Sequence, residues 1–117
     1  MFRFEDLDIW KLAIEYANEI YDITARFPDD EKYNLISQLR RAALSISNNI
    51  AEGSGAGTTK NFKSFLDIST ASALETVNLL FFSAKRSYIT ESQRAEFYDK
   101  AEKLIKKVRA FKNSLKY

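Results

Sequence analysis

The stretch that decides the fold reads SQLRRAALSISNNIAEG over residues 37–53 and leads directly into the glycine-rich segment 54–57. Apolar residues recur along and just before it at steps of four, three, four and four: Leu35, Leu39, Ala42, Ile46 and Ile50. This spacing places one narrow apolar stripe along an α-helix. Gly53 is predicted to end that helix, because glycine readily adopts the left-handed conformation of a C-terminal cap.

Helix-breaking residues divide the chain into four helical segments. The one proline, Pro28, and the three glycines, all within residues 53–57, fall between segments of helical periodicity. Residues 90–93 read Thr-Glu-Ser-Gln, a capping-box pattern that predicts another helix start. The predicted helices span about residues 6–26, 30–52, 59–86 and 91–115. Because their connections are short, we predict an all-α, antiparallel up-down four-helix bundle, with residues 1–117 forming a single domain.

The composition argues against catalysis. The 117-residue chain contains no cysteine and no histidine, which removes the thiolate nucleophile, the usual general base and the imidazole or thiolate ligands of zinc sites. We therefore predict that the protein is not an enzyme and has no catalytic residues, no cofactor and no metal site. No run of about 18 apolar residues predicts a membrane span. A soluble cytoplasmic protein without a membrane partner is expected.

The first and third predicted helices each carry two apolar stripes, one more than a lone four-helix bundle buries. We interpret the second stripes as a self-association surface and predict a homo-oligomer. The residues assigned to this interface are Leu12, Tyr16, Ile23, Phe65, Ile68, Leu79 and Phe82. The alternative is that bulky aromatic residues simply widen the core of a monomer.

A polar row runs beside the apolar stripe of the second helix, from Arg41 to Glu52, at steps of four, three and four. The row and its polar neighbours are Arg40, Arg41, Ser45, Asn48, Asn49, Glu52 and Glu75. We hypothesise that they contact a ligand or another subunit; the alternative is an ordinary hydrogen-bond network. The Glu75 carboxylate is predicted to bind Arg40 or Arg41 of its own or a neighbouring chain, because a carboxylate among apolar residues needs a compensating cation.

Charge is unevenly distributed along the chain. Residues 1–58 hold six Lys/Arg and ten Asp/Glu, whereas residues 59–117 hold twelve and six. The basic residues at the end of the fourth helix are Lys103, Lys106, Lys107, Arg109, Lys112 and Lys116. We predict that they contact RNA or DNA phosphates in a salt-dependent way. The alternative is a protein-protein interaction scaffold that binds no nucleic acid, whose basic helix serves only solubility.

Several motifs together resemble a known family. They are segments 37–43 and 49–53, the opening Phe4-x-x-Leu7-x-Ile9-Trp10 and the hinge Phe27-Pro28-x-x-Glu31-x-Tyr33-x-Leu35. In these motifs the chain resembles the four-helix-bundle proteins encoded in intervening sequences of 23S rRNA, and the similarity covers nearly its whole length. The same bundle occurs in the accessory protein of diversity-generating retroelements. The resemblance therefore implies a ring-shaped homopentamer, association with RNA or another nucleic acid, and a protein client such as a reverse transcriptase.

The chain departs from the family pattern at two positions. Ser47 stands where the family usually has proline, so a straighter second helix is expected. Ala56 stands where an arginine commonly follows the glycine-rich segment, which argues against phosphate binding by that loop.

Overall fold

The computed structural model describes residues 1–116, which contain four α-helices and no β-strand. The α-helices are α1 (Asp8–Thr24), α2 (Leu35–Ser54), α3 (Thr59–Lys85) and α4 (Glu91–Ser114), and short 3-10 helices span Arg3–Asp6 and Asp29–Glu31. Each α-helix packs against the next one in the chain, and α4 also packs against α1. The molecule measures 46 × 23 × 21 Å. The prediction of an all-helical protein with four helices is confirmed.

The apolar stripe of α2 lies in the centre of the core. All five residues of the stripe are buried, and Leu39, Ile46 and Ile50 are completely inaccessible to solvent. They join one continuous apolar cluster to which all four α-helices contribute; Ile20 and Leu80 are among its other fully buried members. The spacing of the stripe therefore identified the buried face of α2 correctly.

The start of α2 was predicted wrongly. The helix begins at Leu35 instead of about residue 30, because residues 29–31 form a separate 3-10 turn after Pro28. Glu31 lies in this turn, where its carboxylate accepts a 2.9 Å hydrogen bond from the hydroxyl of Tyr88. Since that bond joins the turn to the segment before α4, a tertiary contact competes with local helix propensity here.

The prediction that Gly53 caps α2 is wrong. Gly53 lies buried inside the helix, which continues to Ser54. A Cβ atom at Gly53 would lie 2.7 Å from the Cβ of Phe65 and 2.8 Å from the Cδ1 of Phe62. The left-handed conformation occurs instead at Gly57, where φ is +82°. Gly53 therefore allows α2 and α3 to approach closely, and Gly57 makes the turn.

The connection between α3 and α4 is held by backbone hydrogen bonds and a helix cap. Ser87 adopts a left-handed conformation with φ of 63°, and its amide donates to the Ala84 carbonyl over 2.9 Å. The predicted capping box at the start of α4 is present: the Gln93 amide donates to the Thr90 hydroxyl, and the Thr90 amide donates to the Gln93 side chain. The boundary between these helices was therefore identified correctly from sequence.

By length and composition alone, α3 could also cross a membrane, with a mean hydropathy of 1.2 over its most apolar window. Core helices of soluble proteins have the same character, and one third of that window is buried against the rest of the molecule.

Candidate interaction surfaces

Part of the predicted polar row forms a hydrogen-bond network between α2 and α3. The hydroxyl groups of Ser45 and Ser72 are 2.8 Å apart, and the Asn49 side-chain amide donates to the carbonyl and hydroxyl oxygens of Ser45 over 2.7 and 3.0 Å. These groups are half-buried or buried. They satisfy one another, which is the behaviour of polar groups inside a helix-helix interface.

The other members of the row face solvent. Asn48 and Glu52 are exposed, and Arg41 is exposed with a long 3.4 Å hydrogen bond to the hydroxyl of Ser37. Ser45 and Asn49 therefore stabilise the contact between α2 and α3, whereas Arg41, Asn48 and Glu52 remain accessible to a partner.

The structure does not pair Glu75 with either arginine of its own chain, so the intramolecular version of that prediction is wrong. Arg40 instead donates to the Thr24 hydroxyl over 2.9 Å and to the Tyr21 carbonyl over 3.2 Å, with its guanidinium 4.5 Å from the centroid of the Tyr21 ring. Glu75 is exposed and therefore needs no compensating cation within the chain. Pairing with an arginine of a neighbouring chain stays a prediction.

The predicted interface residues differ in their exposure. Tyr16 is only 3% exposed, and its hydroxyl lies 2.8 Å from that of Thr76, so the assignment of Tyr16 to an oligomer interface is wrong. Ile68 and Phe82 are 49% and 51% exposed. The remaining predicted residues are half-buried: Leu12, Ile23, Phe65 and Leu79. The second apolar stripe of α3 is therefore more accessible than the second apolar stripe of α1.

The second stripe of α1 is largely covered by α4. A cleft of about 150 Å³ between these helices is lined by Leu12, Tyr16 and Leu104, among others. At its rim the Lys100 ammonium lies 2.7 Å from the Glu19 carboxylate, and this hydrogen bond raises the pKa of Lys100. The extra apolar residues of α1 therefore serve the α1–α4 contact within one chain.

The predicted basic residues of α4 differ in whether they form ion pairs. Lys106 pairs with Glu102 at 3.8 Å, and Lys112 pairs with Asp67 of α3 at 2.7 Å. The other four are exposed, with no ion pair within residues 1–116: Lys103, Lys107, Arg109 and Lys116. Three exposed cations in the second half of α4, with Lys116 just beyond its end, still make this end of the helix attractive to anions.

A groove between α3 and α4 was missed by the sequence analysis. Leu74 and Phe81 of α3 are 51% and 47% exposed, and Tyr98 of α4 is 40% exposed. The rings of Phe81 and Tyr98 meet edge to face at 6.1 Å, and the Arg94 guanidinium lies 4.4 Å from the Phe81 centroid. We refer to the surface formed by these four residues with Glu102, Ile105, Lys106 and Arg109 as the α3–α4 groove.

The sequence contained only a weak signal for this groove. Leu74 and Phe81 are seven residues apart and so lie on one side of α3, but outside both apolar stripes. Arg94 and Tyr98 have helical neighbour spacing on α4. No metal site accompanies the groove or any other surface of residues 1–116, because no three His, Cys, Asp or Glu side chains are suitably grouped there.

Comparisons with known proteins identify the family. Residues 5–110 match the model of the 23S rRNA-intervening sequence protein. The fold is similar to the crystal structure of a protein with unknown function from the S23 ribosomal protein family of Bacteroides thetaiotaomicron, with a TM-score of 0.79, 22% sequence identity, and coverage of 91% of this chain and 99% of that chain. At this identity the similarity shows a shared fold. The comparison with curated proteins gives no match. Because the matched residues make up most of the sequence, the chain belongs to the 23S rRNA-intervening sequence protein family.

Proposed function

We propose that the protein is a non-enzymatic, cytoplasmic, homo-oligomeric four-helix bundle that associates with RNA through charge and shape. The observation that carries this proposal is the group of exposed cations in the second half of α4, among them Lys107 and Arg109, that form no ion pair within residues 1–116. No acidic residue occurs from residue 103 to residue 117. Such a surface neutralises phosphates and releases their counterions, so binding should weaken steeply with salt.

The proposed arrangement of the helices is antiparallel and up-down. Contacts between the start of one helix and the end of the next support it: Phe62 near the start of α3 lies 5.6 Å from Phe111 near the end of α4, measured between ring centroids. Between α2 and α3, the Ser69 hydroxyl of α3 donates a hydrogen bond to the Ile46 carbonyl of α2 over 2.9 Å. This order brings the C-terminal end of α4 beside the N-terminal end of α3.

The RNA proposal is tested by fluorescence anisotropy with a labelled RNA hairpin at two salt concentrations. We expect the affinity to fall at least tenfold between about 50 and 200 mM salt. The double variant Lys103→Gln/Lys107→Gln should bind more weakly and with a salt slope shallower by about one to two, because each neutralised phosphate contributes nearly one to that slope. The matched control, Lys32→Gln/Lys85→Gln, removes two exposed lysines at the opposite end of the molecule, one before α2 and one at the last residue of α3.

If the protein binds no RNA at low salt, the RNA proposal fails and the protein-interaction scaffold is favoured, with a reverse transcriptase as one kind of client. If the two double variants lose the same affinity, binding reflects net charge alone and α4 is not the interface. Circular dichroism of each variant shows whether the fold is retained.

For the oligomer we propose the exposed side of α3 as a subunit contact. Ile68, Glu75 and Phe82 follow one another at steps of seven and are all exposed, so they form one line along α3. Arg41 of a neighbouring chain is the proposed partner of Glu75. A ring of five subunits is taken from the family resemblance.

Phe82→Asp is expected to dissociate the oligomer, because a carboxylate buried in a subunit contact would be desolvated without a partner. Light scattering coupled to size-exclusion chromatography should report about 13.5 kDa for the variant and a multiple of it for the parent protein. Tyr33→Asp, at a position 88% exposed, is the control that should keep the parent mass. A monomeric parent protein would overturn the oligomer, and an oligomeric Phe82→Asp variant would exclude this side of α3.

A further inference from the structure

The α3–α4 groove combines apolar, aromatic and cationic groups on one accessible surface. Its central part has a volume of about 210 Å³ and is lined by Leu74, Tyr98, Ile105, Lys106 and Arg109, together with one carboxylate, that of Glu102. Along α4, Tyr98 and Arg109 are eleven residues apart, which corresponds to about 16 Å at 1.5 Å per residue. The groove therefore has the length of a short extended polymer segment.

The aromatic end of the groove is suited to planar ligands. The side chain of Arg94 is only 17% exposed, is fixed by a 3.1 Å ion pair with Glu91, and lies against the ring of Phe81 and 5.9 Å from the Tyr98 centroid. An ordered cation beside exposed aromatic rings is a surface on which nucleobases stack.

The other end of the groove is suited to anions. Arg109 is exposed and has no ion pair within the described chain, and Lys106 has only the long 3.8 Å pair with Glu102. Both cations lie on the side of α4 that faces the groove. Phosphate groups of a chain lying in the groove would therefore find two cations at one end and stacking surfaces at the other.

A second copy of this chain fits the groove less well. The surface of α1 and α2 with comparable apolar exposure carries Ile14, Tyr21 and Leu44. Arg40 stacks on Tyr21, and Arg41 is exposed beside it in the sequence. Docking this surface on the groove would bring arginines towards Arg94 and Arg109, which are of the same charge, whereas an anionic polymer complements the cations.

We propose that the α3–α4 groove binds a short single-stranded RNA segment, with bases stacked at Phe81 and Tyr98 and phosphates held by Lys106 and Arg109. This inference rests on the proposed RNA association. It adds a second binding surface, the groove for an unpaired strand, to the basic surface of α4. Stacking tolerates every base, so little sequence preference is expected.

The test measures binding of the intact protein to labelled oligouridine of about 12 nucleotides, with the RNA hairpin as a second probe. Tyr98→Ala is expected to weaken oligouridine binding about tenfold, because stacking on an aromatic ring contributes that much per base, and to leave the salt slope unchanged. Arg109→Gln should lower the salt slope for oligouridine by about 0.7, the contribution of one neutralised phosphate of a single strand. The matched controls are Tyr33→Ala, which removes another exposed tyrosine, and Lys11→Gln, which removes another exposed cation.

The outcomes separate this inference from the function on which it rests. If the parent protein binds oligouridine, and Tyr98→Ala and Arg109→Gln bind it as tightly as their controls, the groove is excluded while RNA association stands. If the parent binds neither probe, both proposals fail. A Tyr98→Ala variant that retains its RNA affinity but changes its mass in light scattering would identify the groove as a contact between copies of the chain. Thermal unfolding of each variant verifies that an effect on binding is not a loss of fold.

Discussion

Gly53→Ala is expected to lower the free energy of unfolding by about 1–3 kcal/mol, the usual range for overpacking a core. The added Cβ would lie 2.7 Å from the Cβ of Phe65, an atom that cannot move unless the backbone of α3 moves with it. The second clash, 2.8 Å to the Cδ1 of Phe62, involves a ring that is buried and packs against Phe111. Alanine gains up to about 1 kcal/mol of helix propensity over glycine, which offsets only part of the strain.

Gly55→Ala is the matched control two residues away. The Cβ at Gly55 would have no neighbour closer than 3.8 Å, and Gly55 has an ordinary negative φ of −104°. This variant is expected to be neutral or to gain up to about 1 kcal/mol, because alanine restricts the unfolded chain. Urea unfolding followed by circular dichroism gives both values. Equal midpoints for Gly53→Ala and the parent protein would show that α2 and α3 tolerate a wider separation.

The contrast between these glycines shows how far the sequence could predict the fold. Burial of the α2 stripe was predictable because it repeats at helical spacing, and the α4 start was predictable because its capping box is formed by residues 90–93 alone. The role of Gly53 depends on Phe62 and Phe65, which approach it only after α2 and α3 have packed. The beginning of α2 likewise depends on the bond between Glu31 and Tyr88, which are 57 residues apart.

The candidate surfaces also divide into those formed by one helix, which could be predicted from the sequence, and those formed where helices pack together, which could not. The exposure of Ile68 and Phe82 on α3 and of Lys107 and Arg109 on α4 could be predicted, because each pair belongs to a single helix. It placed Tyr16 at an interface, since its apolar periodicity could not reveal a hydrogen bond to Thr76, sixty residues away. The α3–α4 groove was missed because Phe81 and Tyr98 form a site only where two helices meet. A periodicity can show that a face is apolar, but which partner covers that face is decided by packing.

Between pH 10 and pH 12 the protein is expected to lose up to about 2.7 kcal/mol of stability through Tyr16 alone, at 1.36 kcal/mol per pKa unit. Burial raises the pKa of this phenol from 10.0 to about 12, with a smaller raising effect from the Glu19 carboxylate and an opposing effect of the bond to Thr76. Because the folded pKa is the higher one, the contribution is complete below pH 10 and is lost as the pH rises through 12. The unfolded chain releases the proton first, and this favours unfolding.

Tyr16→Phe isolates this effect. At pH 7 the variant should be about 1 kcal/mol less stable, since it loses one buried hydrogen bond, while the Thr76 hydroxyl still donates to the Ala73 carbonyl. Above pH 10 it should lose less stability than the parent, so the two curves converge and then cross, because the parent's alkaline loss exceeds the initial difference of about 1 kcal/mol. Thr76→Val keeps the buried phenol and should retain the full alkaline loss, and Tyr33→Phe, at an exposed position, should reproduce the parent curve. Urea unfolding at intervals from pH 8 to pH 12 measures all four curves. Parallel curves for Tyr16→Phe and the parent would mean that the phenol is hydrated in the folded protein, and that the contact between α1 and α3 is looser than the hydrogen bond to Thr76 indicates.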